Sequence, residues 1–244
     1  METYIYKMIA LSAIFILLYF VFLEKEKNHR FKRFYLLCSA LFSVFVPLLS
    51  MTYGRVEMVE SINQNNTEIM ILPETKLVEP SIFTTENLLW TIYILGFSIL
   101  FLKFSWGIFK LIKEIKYSEK IKQDHYQFIL KQNKFTPYSF WNAIFLNKTD
   151  FLEEKIDDKI ILHEKAHVNQ KHSIDVIFIE IMLCVFWLNP AFYFYRKAIV
   201  TNHEFLADEE VLCQNKDVIK KKKNNKKKKN KEKILFTHPF NLHN

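Results

Sequence analysis

The sequence is poor in the residues that punctuate a chain, with three glycines and six prolines in 244 residues. A collagen-like architecture is excluded. Cysteine is also scarce: Cys38, Cys184 and Cys213 are all there is. An odd number, with two of the three inside apolar runs, excludes a disulfide framework and predicts buried free thiols. The body of the chain lacks net charge as well. The formal +8 is misleading, because residues 216–233 hold 11 Lys against two acids and so carry +9, leaving −1 for everything else. No basic nucleic-acid-binding face is expected on the folded part. Hydrocarbon is what the chain has in abundance. Half of it is hydrophobic, with 24 Phe and 11 Tyr, which is too apolar for disorder and long enough for one large domain or two small ones.

Three runs are long and apolar enough to cross a bilayer, which takes about 20 residues. They cover residues 4–23, 34–53 and 88–106. The first is too long for an ordinary signal-peptide core, and no small-x-small cleavage site precedes Glu24. The loop after the first run carries Lys25, Lys27, Arg30, Lys32 and Arg33, whereas residues 54–86 have two basic residues against six Glu. Lys110, Lys113, Lys116, Lys120 and Lys122 follow the third run. The positive-inside rule then predicts an outside N-terminus, an extracytoplasmic loop over 54–86, and a cytoplasmic region from about residue 107, in a plasma-membrane multi-pass protein. Gly107 is a candidate weak point, followed by an amphipathic helix over 108–121. Residues 126–130 and 143–146 are β-prone, with the turn-forming Thr136-Pro137-Tyr138-Ser139 between them, so a small hairpin or sheet is expected.

The chemistry is concentrated at His163-Glu164-Lys165-Ala166-His167, an H-E-x-x-H motif. On a helix the two histidines lie one turn apart on one face and can reach a single Zn²⁺. Glu164 is rotated off that pair, close enough to act as general base on a metal-bound water. The motif arises by chance in roughly one of fifty chains of this composition. It can also be a solvated helix face with two surface histidines, but the apolar Ile160-Ile161-Leu162 leading into it speaks for a packed helix.

A zinc site needs a third protein ligand, usually from a later helix. Glu204 and Asp208 are four residues apart, hence on one helical face; Glu204 can bind the metal while Asp208 orients a ligand histidine. An ordinary acidic face continued by Glu209 and Glu210 is the alternative, and His203 is a rival ligand. The apolar stretch 174–195 tests the pairing. A single crossing would put Glu204 and His163 on opposite sides of the membrane. Asn189-Pro190 breaks the helix instead. Asp175 to Asn189 and Pro190 to Glu204 are equal legs of about 21 Å, at ~1.5 Å per residue. They form a helical hairpin over 174–204 that returns Glu204 to the level of Asp175, with Ser173 as N-cap. Glu180, inside the apolar leg, is either functional or partnered within the bundle. Asp175 reads as structural.

Taken together, Thr136-Pro-Tyr-Ser-Phe-Trp-Asn, Ile161-Leu-His-Glu-Lys-Ala-His-Val, Lys171-His-Ser-Ile-Asp, Phe186-Trp-Leu-Asn-Pro and Asn202-His-Glu-Phe-Leu-Ala-Asp-Glu resemble the BlaR/MecR family of bacterial membrane zinc metallopeptidases. The resemblance runs over about residues 85–212. It implies zinc held by His163, His167 and Glu204, with Glu164 as catalytic base. It also implies a cytosol-facing site that cuts a protein substrate, in the best-known members ending in loss of a transcriptional repressor. Such members usually continue into another transmembrane helix and often a sensor domain; here residues 213–244 read as a Lys-rich low-complexity tail, disordered or truncated.

The expected fold is mainly α: a polytopic membrane protein with three spans over 1–110 and a zincin-like metallopeptidase domain over 111–212. That domain is expected to hold a small hairpin or sheet and the helical hairpin. The expected partners are the lipid bilayer and a protein substrate. Two other readings stand beside this one. One is a non-enzymatic receptor or scaffold in which zinc is structural or absent and the output is a contact with a partner; a fourth ligand from His203 or His172 would favour it. The other is a quality-control protease of the HtpX/Ste type, against which the Phe-Trp-Leu-Asn-Pro block argues.

Overall fold

The computed structural model describes residues 2–49, 85–123 and 125–237, with side chains followed to residue 214. Helix α1 (Glu2–Leu18) ends in a wider π-turn over Tyr19–Leu23, and α2 (His29–Leu49) runs back beside it. Helix α3 (Thr85–Tyr117) is the longest apolar element. Among the described residues, three helices are long and apolar enough to cross a membrane: Thr3–Leu23, His29–Leu49 and Asn87–Tyr117. None of α3's apolar window is buried within the protein, which fits a surface facing lipid. The second span starts earlier than expected, and residues 50–53 and most of the expected loop 54–86 lie outside the described residues.

Gly107 does not interrupt α3. A lone glycine costs a helix only about 1 kcal/mol, and beyond it Leu111 and Ile115 gain packing against the sheet. The amphipathic helix expected over 108–121 is therefore the end of α3, and residues 119–122 are a strand. Cys184 is buried, but Cys38 and Cys213 are exposed, and all three are free. Burial of Cys38 was the wrong expectation, because an apolar run in a spanning helix has an outward face as well as a packed one.

The described residues form one four-stranded sheet of β1 (Glu119–Lys122), β2 (Gln127–Lys131), β3 (Tyr138–Phe140) and β4 (Ala143–Asn147), in the order β1-β2-β4-β3. The two β-prone runs do pair, but in parallel. Tyr138 and Ser139 of the expected turn instead form a strand with Phe140, antiparallel to β4. The parallel pairing follows from burial on both faces. Phe128, Leu130, Ile144 and Leu146 pack with Val168, while Ile129, Ala143 and Phe145 face Leu111 and Ile115. Edge strand β3 turns into β4 through Trp141, held at φ 56.

After the short α4 (Lys148–Leu152) comes α5 (Asp158–Asn169), capped by Asp157 accepting from the Lys159 N–H at 3.0 Å. Helices α6 (His172–Val185) and α7 (Pro190–Thr237) form the expected hairpin. Asn189 Oδ1 accepts from the Ala191 N–H at 3.0 Å, so Asn189 caps α7 and Pro190 opens it. Its tip reaches the middle of α1, where Asn189 Nδ2 donates to Ser12 Oγ at 2.9 Å. Ser12 lies about 16 Å along the helix from Leu23, at ~1.5 Å per residue, so the hairpin is sunk halfway into the bundle. Gly96 of α3 meets the same tip: a Cβ there would lie 2.5 Å from the Trp187 ring. Ile179, Leu183, Phe192 and Tyr195 of the hairpin pack with Ile16, Tyr19, Leu36 and Ala40 of α1 and α2.

Two details differ from the sequence reading. Ser173 is not the N-cap of α6; that position is Lys171, at φ 55, and Ser173 Oγ instead accepts from the Trp141 N–H at 2.8 Å. Helix α7 also continues past residue 212 to Thr237. No Gly or Pro lies between Pro190 and Thr237, and lysine is a good helix former.

Candidate metal centre

The site forms where α5 and α7 cross. His163 and His167 project from one face of α5, and the return leg of the hairpin brings Glu204 against them. His163 Nε2 and His167 Nε2 are 3.1 Å apart. Glu204 lies 3.3 Å from His163 Nε2 through Oε2 and 3.7 Å from His167 Nε2 through Oε1. One donor atom from each of the three lies within 4.8 Å of the others. The rival ligand is elsewhere: His203, buried on the same helix, donates from Nε2 to Asp175 Oδ2 at 2.8 Å. Side chains one residue apart on a helix point about 100° apart, and packing against α6 decides which of the two meets α5.

The remaining ring nitrogens are engaged. Asp208, one turn beyond Glu204, accepts from His163 Nδ1 at 3.0 Å. His167 Nδ1 is 2.8 Å from His172 Nδ1. With the hydrogen of each ring on Nδ1, the two Nε2 lone pairs would face each other, an arrangement that suits a cation between them. A tetrahedral ion with ligands at about 2.0–2.1 Å sets its donors roughly 3.3 Å apart, close to the separations seen. Two imidazoles and a carboxylate suit a borderline divalent ion. Burial, with His163 and His203 nearby, lowers the His167 pKa to about 4 against the opposing pull of Asp208. Burial and the flanking His203 lower that of His172 to about 2. Both rings are therefore neutral at neutral pH and have a lone pair to offer.

Glu164 is buried on α5 beside the three candidate donors. Burial raises its pKa above the ordinary carboxyl value. A hydrogen bond from Ser139 and the nearby His163 pull it down, and Glu204 pushes it up. Ser139 comes from edge strand β3, so the sheet brings a hydroxyl to the neighbourhood of the carboxylate. Sequence spacing could not have found Ser139, because no periodicity relates an edge strand to a helix 25 residues away. Arg33, Gln170 and the positions of His172 and His203 relative to the candidate donors were not foreseen either. Asp175 is structural, clamped by Arg33 from Nε at 2.6 Å and Nη2 at 3.2 Å. Glu180 pairs with Arg196 at 2.5 Å across the hairpin. A cavity of about 250 Å³ lies to one side, lined by Arg30, Arg33, Asn169, Gln170 and Glu210 among others, and includes none of the three donors.

Comparison with known proteins gives one family. The model described as BlaR1 peptidase M56 matches residues 5–225. No curated protein matches the sequence.

Proposed function

This chain belongs to the BlaR1 peptidase M56 family, and on that premise we propose that it is a membrane-embedded zinc endopeptidase that cuts a protein substrate at the cytoplasmic face. The observation that carries the reading is the convergence of His163, His167 and Glu204 on one point with buried Glu164 beside it. Zinc held there would lower the pKa of a bound water to about 7 and polarise the scissile carbonyl. Glu164 takes the proton from the attacking water and passes it to the leaving amine. Its burial makes it a stronger base than an exposed glutamate, and the Ser139 hydroxyl orients it. Asp208 keeps the hydrogen of His163 on Nδ1, so that Nε2 faces the metal. Strand β3, at the edge of the sheet among the described residues, runs beside Glu164 and would offer an extended substrate a strand to pair with.

A structural zinc would take its fourth ligand from His203 or His172, and both are engaged elsewhere. That supports an open fourth position, as hydrolysis requires. The family matched favours signalling over quality control. The role is then regulated cleavage of a cytoplasmic protein, with a transcriptional repressor as the leading candidate. For the orientation, Arg33 touches Asp175, so the basic first loop and the metal centre share one end of the bundle. By the positive-inside rule that end is cytoplasmic, with the N-terminus outside.

The test compares the full chain with Glu164→Gln in isolated membranes supplied with cytoplasmic extract. The parent should generate a discrete cleavage product. The variant should keep about one zinc and cut about 10²- to 10⁴-fold more slowly. A variant that cuts as fast as the parent would rule out the mechanism.

A further inference from the structure

His172 lies outside the H-E-x-x-H motif, yet its ring touches a ligand of the metal centre. His167 turns Nε2 toward His163 and Glu204, and its Nδ1 lies 2.8 Å from His172 Nδ1. Two ring nitrogens at that distance share one hydrogen, so one donates and the other accepts. His172 Nε2 lies 3.2 Å from Gln170 Oε1, which can only accept. The hydrogen of His172 therefore sits on Nε2, and its Nδ1 presents a lone pair. His167 must then donate from Nδ1, which leaves Nε2 bare toward Glu204. A ligating histidine usually gets this from a carboxylate or a carbonyl, as His163 does from Asp208. His167 gets it from an imidazole.

That imidazole is itself fixed. His172 stacks on His203 with ring centres 4.0 Å apart and planes within 5°. His203 donates to Asp175, and Arg33 of α2 grips both oxygens of the same carboxylate. His172, Asp175 and His203 are all buried. A continuous set of contacts thus runs from the first turns of an apolar, span-length helix to a metal-ligand ring.

We propose that His172 is a positioning residue that holds His167 in its metal-binding tautomer and orientation, and that His203, Asp175 and Arg33 anchor it to α2. The inference rests on the metal reading of His163, His167 and Glu204. A displacement of α2 would then reach the metal centre as a change in ligand orientation, which gives the membrane region a physical route to regulate cleavage.

Two substitutions separate tautomer control from simple packing. His172→Asn keeps an acceptor but loses the stacked ring; His172→Phe keeps the ring and loses the acceptor. The full chain in detergent is titrated with zinc against a competing chelator, and with Co²⁺ to read the visible ligand-field spectrum. Zinc affinity of His172→Phe should fall about ten- to a hundredfold with an altered Co²⁺ spectrum, as for other losses of a ligand's hydrogen-bond partner. His172→Asn, which keeps the acceptor and loses only the stack, should weaken clearly less and keep the parent's Co²⁺ spectrum. Unchanged affinity and spectrum in the Phe variant would overturn the proposal, and so would equal weakening of both variants, which would make the site a matter of packing alone. A parent chain that takes up no metal would instead remove the metal reading beneath it.

Discussion

Removing Glu204 and removing its neighbour His203 should have opposite effects on metal binding and on stability. Glu204 has a side chain 55% exposed. Truncating it to Ala opens no cavity, so metal-free stability should stay within about 0.5 kcal/mol of the parent, yet one of three donors is gone. The His203 side chain is only 3% exposed, bonded to Asp175 and stacked on His172. His203→Ala takes a hydrogen bond from a buried carboxylate, worth about 1.5–3 kcal/mol, and leaves a void in the ring stack. Arg33 still neutralises Asp175, so the total loss should be about 3 kcal/mol, at the low end of the ~3–5 kcal/mol of a stranded buried charge. Its zinc stoichiometry at saturation should remain near one, although binding weakens as His172 loses its backing.

The assay is zinc per chain in detergent together with denaturant unfolding, in chelator and in zinc at about 100 times the dissociation constant. Zinc should stabilise the parent by about 2.7 kcal/mol under those conditions. It should not stabilise Glu204→Ala, and His203→Ala should start lower but still respond. The reverse pattern, with Glu204→Ala loaded and His203→Ala empty, would refute the assignment of Glu204 over His203.

Three further outcomes are expected. Burial works to raise the Asp175 pKa, but the His203 and Arg33 contacts outweigh it and the net direction is down. Its contribution to stability is therefore present above the unfolded value of about 3.9 and lost as pH falls through the lower folded value. Thermal unfolding of Asp175→Asn should depend less steeply on pH below about 4 than that of the parent, and parallel curves would count against the clamp. Ser139→Ala removes a bond that lowers the Glu164 pKa, so the acid limb of the cleavage profile should move to higher pH. An unmoved limb would mean that Ser139 does not reach the carboxylate. Gly96→Ala should cost about 1–3 kcal/mol by pushing into Trp187, and Trp187→Ala in the same chain should relieve most of that cost. An unpenalised Gly96→Ala would place α3 elsewhere.

Much of this protein is local in origin, and a local pattern can be read. Hydrocarbon length alone marks the three spans, because a bilayer imposes a minimum length on any helix that crosses it. The one-turn spacing of His163 and His167 specifies a shared face wherever the helix packs. Asn189-Pro190 marks the hairpin tip, because proline removes a donor and restricts the residue before it. Equal leg lengths then return Glu204 to the motif. Tertiary structure decided the rest. The parallel pairing of β2 with β4, and the strand made from Tyr138–Phe140, depend on which helices cover the two faces of the sheet. Whether Glu204 or His203 meets α5 depends on how α7 is rotated against α6, which the sequence leaves open by about 100°. Contacts such as Arg33 with Asp175, Ser139 with Glu164 and His172 with His167 join elements whose sequence separations carry no periodic signal. Only the packed chain brings them within hydrogen-bond reach.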